Sequence, residues 1–206
     1  MIEAVPVLPA WLDLGATAIF ALSGALMAAR LKQTMVTATF FAVVTGVGGG
    51  TIRDLMLDAP VFWLRDPWIA PVVLAAALLA WFTPRHWWER QLLEWLDAAG
   101  LALFSVLGTA KALSYGVAPV PAMMLGIISG CAGGILRDVV AGVPSIIMRP
   151  ELYVTAAALS AGLTGLFAWF DMANYAAWSI AAGAGFGLRL AAITWNIKLP
   201  AYSRGG

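Results

Sequence analysis

Shifted against itself by 84 residues, the sequence overlays without a gap. Trp11-Leu12-Asp13 falls on Trp95-Leu96-Asp97, Phe20 on Phe104, Gly24 on Gly108 and Gly46 on Gly130. Gly49, Gly50, Arg53 and Asp54 fall on Gly133, Gly134, Arg137 and Asp138, Pro60 on Pro144, and Arg65 on Arg149. Unrelated apolar segments share Ala and Leu through composition. They do not share Trp-Leu-Asp, Gly-Gly-x-x-Arg-Asp and Pro at one fixed offset. What such a repeat can fold into depends on what lies between the copies.

Composition answers that. Of the 206 residues, 62% are hydrophobic and 11% charged, against about 45–50% and about 25% in an average soluble domain. A water-soluble fold of this size keeps too much of its surface wet to hide so much apolar area. The apolar runs are therefore membrane crossings, each of about 20 residues. Bounded by charges and Pro/Gly clusters, they predict helices over 9–29, 35–57, 68–83, 93–113, 120–141, 152–170 and 174–195.

The offset spans three crossings, an odd number, so the second copy enters the membrane from the opposite side. The predicted fold is all-α: one transmembrane domain over 1–206 with seven helices, a 3+3 inverted-topology repeat and an appended seventh helix. Repeat 1 covers about 9–84, repeat 2 about 93–170 and helix 7 about 174–195. In inverted repeats the central site lies between the copies and is lined by interrupted helices.

Tryptophans support the segmentation. Trp11, Trp63, Trp68, Trp81, Trp95, Trp169 and Trp195 all fall near a predicted helix end, where the ring sits in lipid and the N–H stays wet. Basic residues give the orientation. Arg30, Lys32, Arg85, Arg90, Arg149, Lys198 and Arg204 belong to one side and Arg65 alone to the other. The positive-inside rule then puts the N-terminus outside and the C-terminus in the cytoplasm. No Lys or Arg precedes Arg30, so the first segment reads as a retained helix rather than a signal peptide.

Several function classes drop out. A net charge of +1 carries no nucleic-acid footprint. The one cysteine, Cys131, permits neither an internal disulfide nor a CxxC site. The one histidine, His86, sits with Arg85, Trp87, Trp88 and Arg90, as in a membrane-surface loop. Gly46-Val-Gly-Gly-Gly lacks the Gly-Lys-Ser/Thr ending of a phosphate loop and has no strand context. No Ser/His/Asp set exists, so no enzyme, metal site or cofactor is expected.

What remains is a glycine cluster deep in helices 2 and 5, each followed by an Arg-Asp pair. Glycine costs about 1 kcal/mol against alanine in a helix interior. Gly48, Gly49 and Gly50, with Gly133 and Gly134, therefore read as hinges where helices 2 and 5 kink or break, or as places where helices pack closely. Arg53, Asp54, Arg137 and Asp138 each cost about 2.5–3.5 kcal/mol at membrane depth if unpaired. Consecutive residues point about 100° apart on a helix, so each is expected to find a partner elsewhere, on the opposite copy or on helix 1 or 4. Near the helix ends, pairing or snorkelling alone is the simpler reading. Asp13 and Asp97 occupy matching early positions in helices 1 and 4, as helix caps or as partners of the arginines. Lys111, late in helix 4, has Met27 as its repeat mate; a lysine special to one copy points to function rather than fold. Gly183, Gly185 and Gly187 form a small-residue face on helix 7, and Arg189 is expected to reach the cytoplasmic interface.

These features resemble the trimeric intracellular cation (TRIC) channels in their bacterial branch. Gly48-Gly-Gly-Thr-Ile-Arg-Asp54 and Gly133-Gly-Ile-Leu-Arg-Asp138 look like that branch's two signature segments, and the resemblance covers about 9–195. It implies a homotrimer in the bacterial inner membrane, with a pore inside each subunit permeable to potassium or sodium. It also implies helices 2 and 5 bending at their glycines, and gating by a basic residue matching Lys111. Here Ala112-Leu113 follows that lysine, where animal members have Glu-Val. Lys111, Arg53, Arg137, Asp54 and Asp138 are thus the expected pore-lining or gating residues. The alternative is a secondary transporter of a small zwitterion such as glycine, since inverted repeats serve carriers equally well.

Overall fold

The computed structural model describes residues 9–84 and 91–200, so the readings placed on His86, Arg85, Arg90, Trp87, Trp88 and Arg204 lie outside the described residues. Seven α-helices follow in order: α1 Ala10–Arg30, α2 Met35–Met56, α3 Ile69–Phe82, α4 Leu92–Ser114, α5 Pro119–Ala141, α6 Val154–Trp169 and α7 Tyr175–Thr194. Local chemistry sets several ends. The Thr34 hydroxyl accepts the Thr37 N–H at 3.2 Å to start α2, and Asn174 Oδ1 accepts from Ala177 N at 2.9 Å to start α7. Both satisfy an N–H that the first turn leaves unpaired. Pro119 opens α5, and Gly142 closes it in the left-handed region at φ 66°, the usual asymmetry of helix ends.

Five helices are long and apolar enough to cross a bilayer, while α3 and α6, with 14 and 16 residues, are shorter. A short 3-10 turn, Phe62–Leu64, follows α2, and its counterpart Ile146–Met148 follows α5 at the same offset of 84. Among the described residues the only β-type pairing is an isolated bridge between Glu151 and Lys198.

Helices α1, α2 and α3 pack as one triplet and α4, α5 and α6 as the other, with α7 laid against α4 and α6. The triplets meet where α2 crosses α5. A Cβ on Gly49 would collide with the Ser129 carbonyl oxygen, and one on Gly133 would lie 2.8 Å from the Thr45 carbonyl oxygen. Since Thr45 and Ser129 are repeat mates, as are Gly49 and Gly133, the contact is its own image under a two-fold operation. The segments pair 45 with 133 and 49 with 129, so the helices run antiparallel there, as oppositely inserted copies must. Phe20 and Phe104, also mates and both fully buried, stack across the same axis at 5.4 Å between ring centroids.

The glycines break neither helix. Both α2 and α5 continue as α-helix through their clusters. What the missing Cβ atoms provide in this conformation is backbone-to-backbone approach, which draws two helices closer than larger residues allow. Tryptophans Trp11, Trp68, Trp81, Trp95, Trp169 and Trp195 are exposed near helix ends. Trp63 is instead turned inward, its Nε1 donating to Thr51 Oγ1 at 3.0 Å.

Candidate functional site

Each Arg-Asp pair sits one to two turns beyond the crossing. Arg53 is six residues past Val47, about 9 Å along the helix at about 1.5 Å per residue. Arg137 stands equally far past Cys131 in the other direction. Two charge clusters therefore flank the crossing, on opposite sides of the two-fold axis.

At the first, Arg53 Nη1 donates to Asp13 Oδ1 of α1 at 2.8 Å, and Arg53 Nε to Asp54 Oδ1 at 2.7 Å. Asp54 Oδ2 accepts the Phe62 N–H at 2.9 Å and so ties down the 3-10 turn that follows α2. The Arg53 guanidinium lies over the Phe62 ring, 5.4 Å from its centroid.

The second cluster copies this at an offset of 84. Arg137 Nη1 donates to Asp97 Oδ1 of α4 at 2.5 Å, and Nε and Nη2 donate to Asp138 Oδ1 at 3.0 and 2.8 Å. Asp138 Oδ2 accepts the Ile146 N–H at 2.7 Å. Arg137 also reaches Ser23 Oγ of α1 at 3.4 Å. All three charged side chains here are 3% exposed or less.

One expectation changes, and one alternative is decided. The consecutive Arg and Asp do bond each other, because the long arginine side chain folds back around the helix. They also find partners on α1 and α4, so Asp13 and Asp97 are guanidinium acceptors rather than helix caps. Burying such charges is tolerable only when pairing is close and remaining donors are met.

Lys111 is where the copies part. Its ammonium donates to Asp54 Oδ1 at 2.7 Å, joining α4 of one repeat to α2 of the other. Its side chain is 17% exposed, while Arg53 and Asp54 are sealed beneath it. At the corresponding place in the second cluster stands Met27, packed in an apolar group with Ala28, Ala38, Phe41 and Ala141. Two carboxylates thus face two cations in the first cluster, Asp13 and Asp54 against Arg53 and Lys111. In the second, among the described residues, Asp97 and Asp138 pair with Arg137.

Within the glycine clusters, Gly48 faces Leu136 Cδ1, Gly50 the Phe62 ring, and Gly134 the Tyr153 hydroxyl and Asp97 Oδ1. The burial of a third cation, expected at the cytoplasmic interface, is a correction. Arg189 is 1% exposed rather than at the interface. It donates to Glu151 Oε2 at 2.6 Å and lies over the Tyr153 ring at 5.4 Å. Helix 7 has no counterpart in the other repeat, and Tyr153 falls on Ile69 at the offset of 84, so no duplicated signal marked them. The small-residue face of helix 7 also divides: Gly185 packs against Ser160 and Ala156, whereas Gly183 and Gly187 face open space.

Comparison with known proteins agrees with this architecture. A family model described as "Glycine transporter" matches residues 10–85 and again 94–169, one match on each half. The UPF0126 inner membrane protein YadS of Escherichia coli K12 is 39% identical over 200 residues, covering 94% of this chain and 95% of YadS. Among solved structures, the TRIC channel orthologue from Rhodobacter sphaeroides is 37% identical with a TM-score of 0.83, covering 91% of this chain and 97% of its own. A second prokaryotic TRIC channel is 25% identical, also at 0.83, over 92% and 97%. Sequence and backbone thus converge: the chain belongs to the TRIC channel family, in the bacterial branch that takes in the UPF0126 membrane proteins and that the glycine transporter family model describes.

Proposed function

We propose that this chain is a channel for monovalent cations, potassium among them, with a conduction path inside each subunit of a homotrimer. We place it in a bacterial inner membrane, N-terminus outside and C-terminus cytoplasmic. The observation that carries the reading is the Lys111–Asp54 pair. It bridges the two repeats, it is the contact that the second cluster does not duplicate, and its ammonium is reachable from one end. Arginines and a lysine on a cation path present no contradiction when paired carboxylates neutralise them, as Asp13, Asp54, Asp97 and Asp138 do here.

In this proposal Lys111 is the moving gate. A single charge crossing 100 mV gains about 2.3 kcal/mol, comparable with the strength of a hydrogen bond to a charged group. Membrane potential alone can therefore bias the pair open or shut. Gly48, Gly49, Gly50, Gly133 and Gly134 supply the freedom for α2 and α5 to bend as the path widens. Reconstitution in planar bilayers under a potassium against N-methylglucamine gradient tests the proposal. Unitary steps reversing near the potassium potential are expected; smooth flux without steps would overturn it.

A second reading has one specific support, the description carried by the matching family model. Adjacent carboxylates and cations suit a zwitterion, whose two charges each find a partner. Counterflow of labelled glycine in proteoliposomes decides it, since a carrier shows saturable exchange and the proposed channel shows none.

A further inference from the structure

We infer that α7 and the strap that follows it latch shut the end of the path at the second cluster, with Glu151 as the catch and Tyr153 as the plug. The inference rests on the proposed function for the path itself. As α7 ends, Asn196 takes the left-handed region at φ 52° and the Ile197 N–H returns to Ala192 O at 3.0 Å, so the chain turns back on itself. The strap then lies against the loop between α5 and α6. Lys198 bridges Glu151 in the antiparallel sense, and the Leu199 N–H donates to Pro150 O at 2.8 Å. From within α7, Arg189 Nη2 donates to Glu151 Oε2 at 2.6 Å. Glu151 is thus gripped twice, through its backbone by the strap and through its side chain by α7.

The gripped loop closes on the second cluster at both ends. The Ile146 N–H sits on Asp138 Oδ2. Tyr153, 1% exposed, presses its hydroxyl against Gly134, where a Cβ would strike it, beside Asp97. Glu151 O accepts the Tyr153 N–H at 2.8 Å, and the Arg189 guanidinium covers the Tyr153 ring, so a shift of Glu151 carries Tyr153 with it. The first cluster repeats only the first of these contacts, Phe62 on Asp54; at the places of Glu151 and Tyr153 it has Pro67 and Ile69. The latch therefore belongs to one end of the molecule, as Lys111 belongs to the other.

The grip is releasable. Among the described residues, Arg189 Nε and Nη1 are buried without hydrogen-bond partners, so its guanidinium depends on one carboxylate, and that side chain is 28% exposed to water. A lone bridge is marginal without further strands beside it, and segments so weakly held open locally while the rest stays folded.

The experiment compares Glu151→Gln and Leu199→Pro in the full-length protein. The first weakens the hold on Arg189. The second deletes the N–H that binds Pro150, at a half-exposed surface position, and carries the test if Glu151→Gln does not fold. In planar bilayers at fixed voltage, open probability should rise about ten-fold for Glu151→Gln and about five-fold for Leu199→Pro, with unitary conductance unchanged. Hydrogen exchange should quicken in peptides covering 146–153 and stay unchanged in 62–69, the matching segment of the first cluster. Currents with unaltered open probability in both variants would overturn the latch. So would exchange that is unaltered in 146–153, or quickened equally in 62–69, since the contacts would then serve stability alone. Absence of currents from the unmodified protein removes the channel proposal instead; the latch then stands or falls on whether faster exchange is confined to 146–153.

Discussion

Replacing Gly49 with alanine separates the two uses of glycine. A Cβ at that position lands on the Ser129 carbonyl oxygen, 3.2 Å from its carbon and 3.7 Å from Gly133 N. All three are backbone atoms, so no side-chain rotation relieves the clash, and α2 must back away from α5. Overpacking of this kind costs about 1–3 kcal/mol, and an immovable neighbour places it at the upper end. Improved helix propensity returns up to about 1 kcal/mol. The net loss is about 2 kcal/mol, a fall in melting temperature of roughly 5 °C for a chain of this size. Its neighbours set the scale. At Gly48 the Cβ meets only Leu136 Cδ1, the tip of a flexible side chain that can swing aside; Gly48→Ala is expected within about 0.5 kcal/mol of wild type. At Gly50 it meets the Phe62 ring, which shields Arg53, and an intermediate loss follows. The assay is thermal unfolding of the three single variants in one detergent. A contact role predicts the order Gly49, Gly50, Gly48; three equal losses, or a Gly49→Ala protein as stable as wild type, would refute it.

Other outcomes follow from the clusters. Arg137→Met strands Asp97 and Asp138 without their shared cation and should lower stability by about 3–5 kcal/mol, read as lost folded yield or melting temperature. Glu94→Gln removes a pair whose side chains are 34% and 28% exposed; melting should change by less than about 1 kcal/mol. Lys111→Met should leave the protein folded and weaken the voltage dependence of bilayer currents, since it removes the proposed mobile charge and spares Arg53–Asp13.

Much of the fold was legible because lipid leaves few choices. A run of apolar residues between charges has one satisfactory conformation there, and every helix end falls within two residues of the sequence reading. The repeat was legible because Gly, Arg, Asp and Pro cannot be exchanged cheaply inside a membrane, so both copies kept them. Direction in space was not legible. Sequence shows a glycine but not which neighbour its missing Cβ lets in, and Gly49 against Ser129 is seen only in three dimensions. It shows Arg53 beside Asp54 but not that the guanidinium folds back to its neighbour while reaching Asp13. Lys111 stood out for lacking a mate, and Asp54 for belonging to the repeated motif, yet nothing along the chain joined the two across 57 positions. Arg189 lies outside the duplicated part and Tyr153 falls on an unlike residue, Ile69, so comparison of the halves was silent about them.

The stacked Phe20 and Phe104 carry a consequence beyond packing. A side chain at a two-fold axis touches its own image, so it must fit itself. Such a ring serves equally well whether its neighbour is the far half of one polypeptide or an identical shorter one facing the other way. Fusion of two such genes would lift that demand for self-fit, and each half could then acquire a task of its own. Positions 111 and 27, lysine against methionine, are where the two halves of this chain differ in charge.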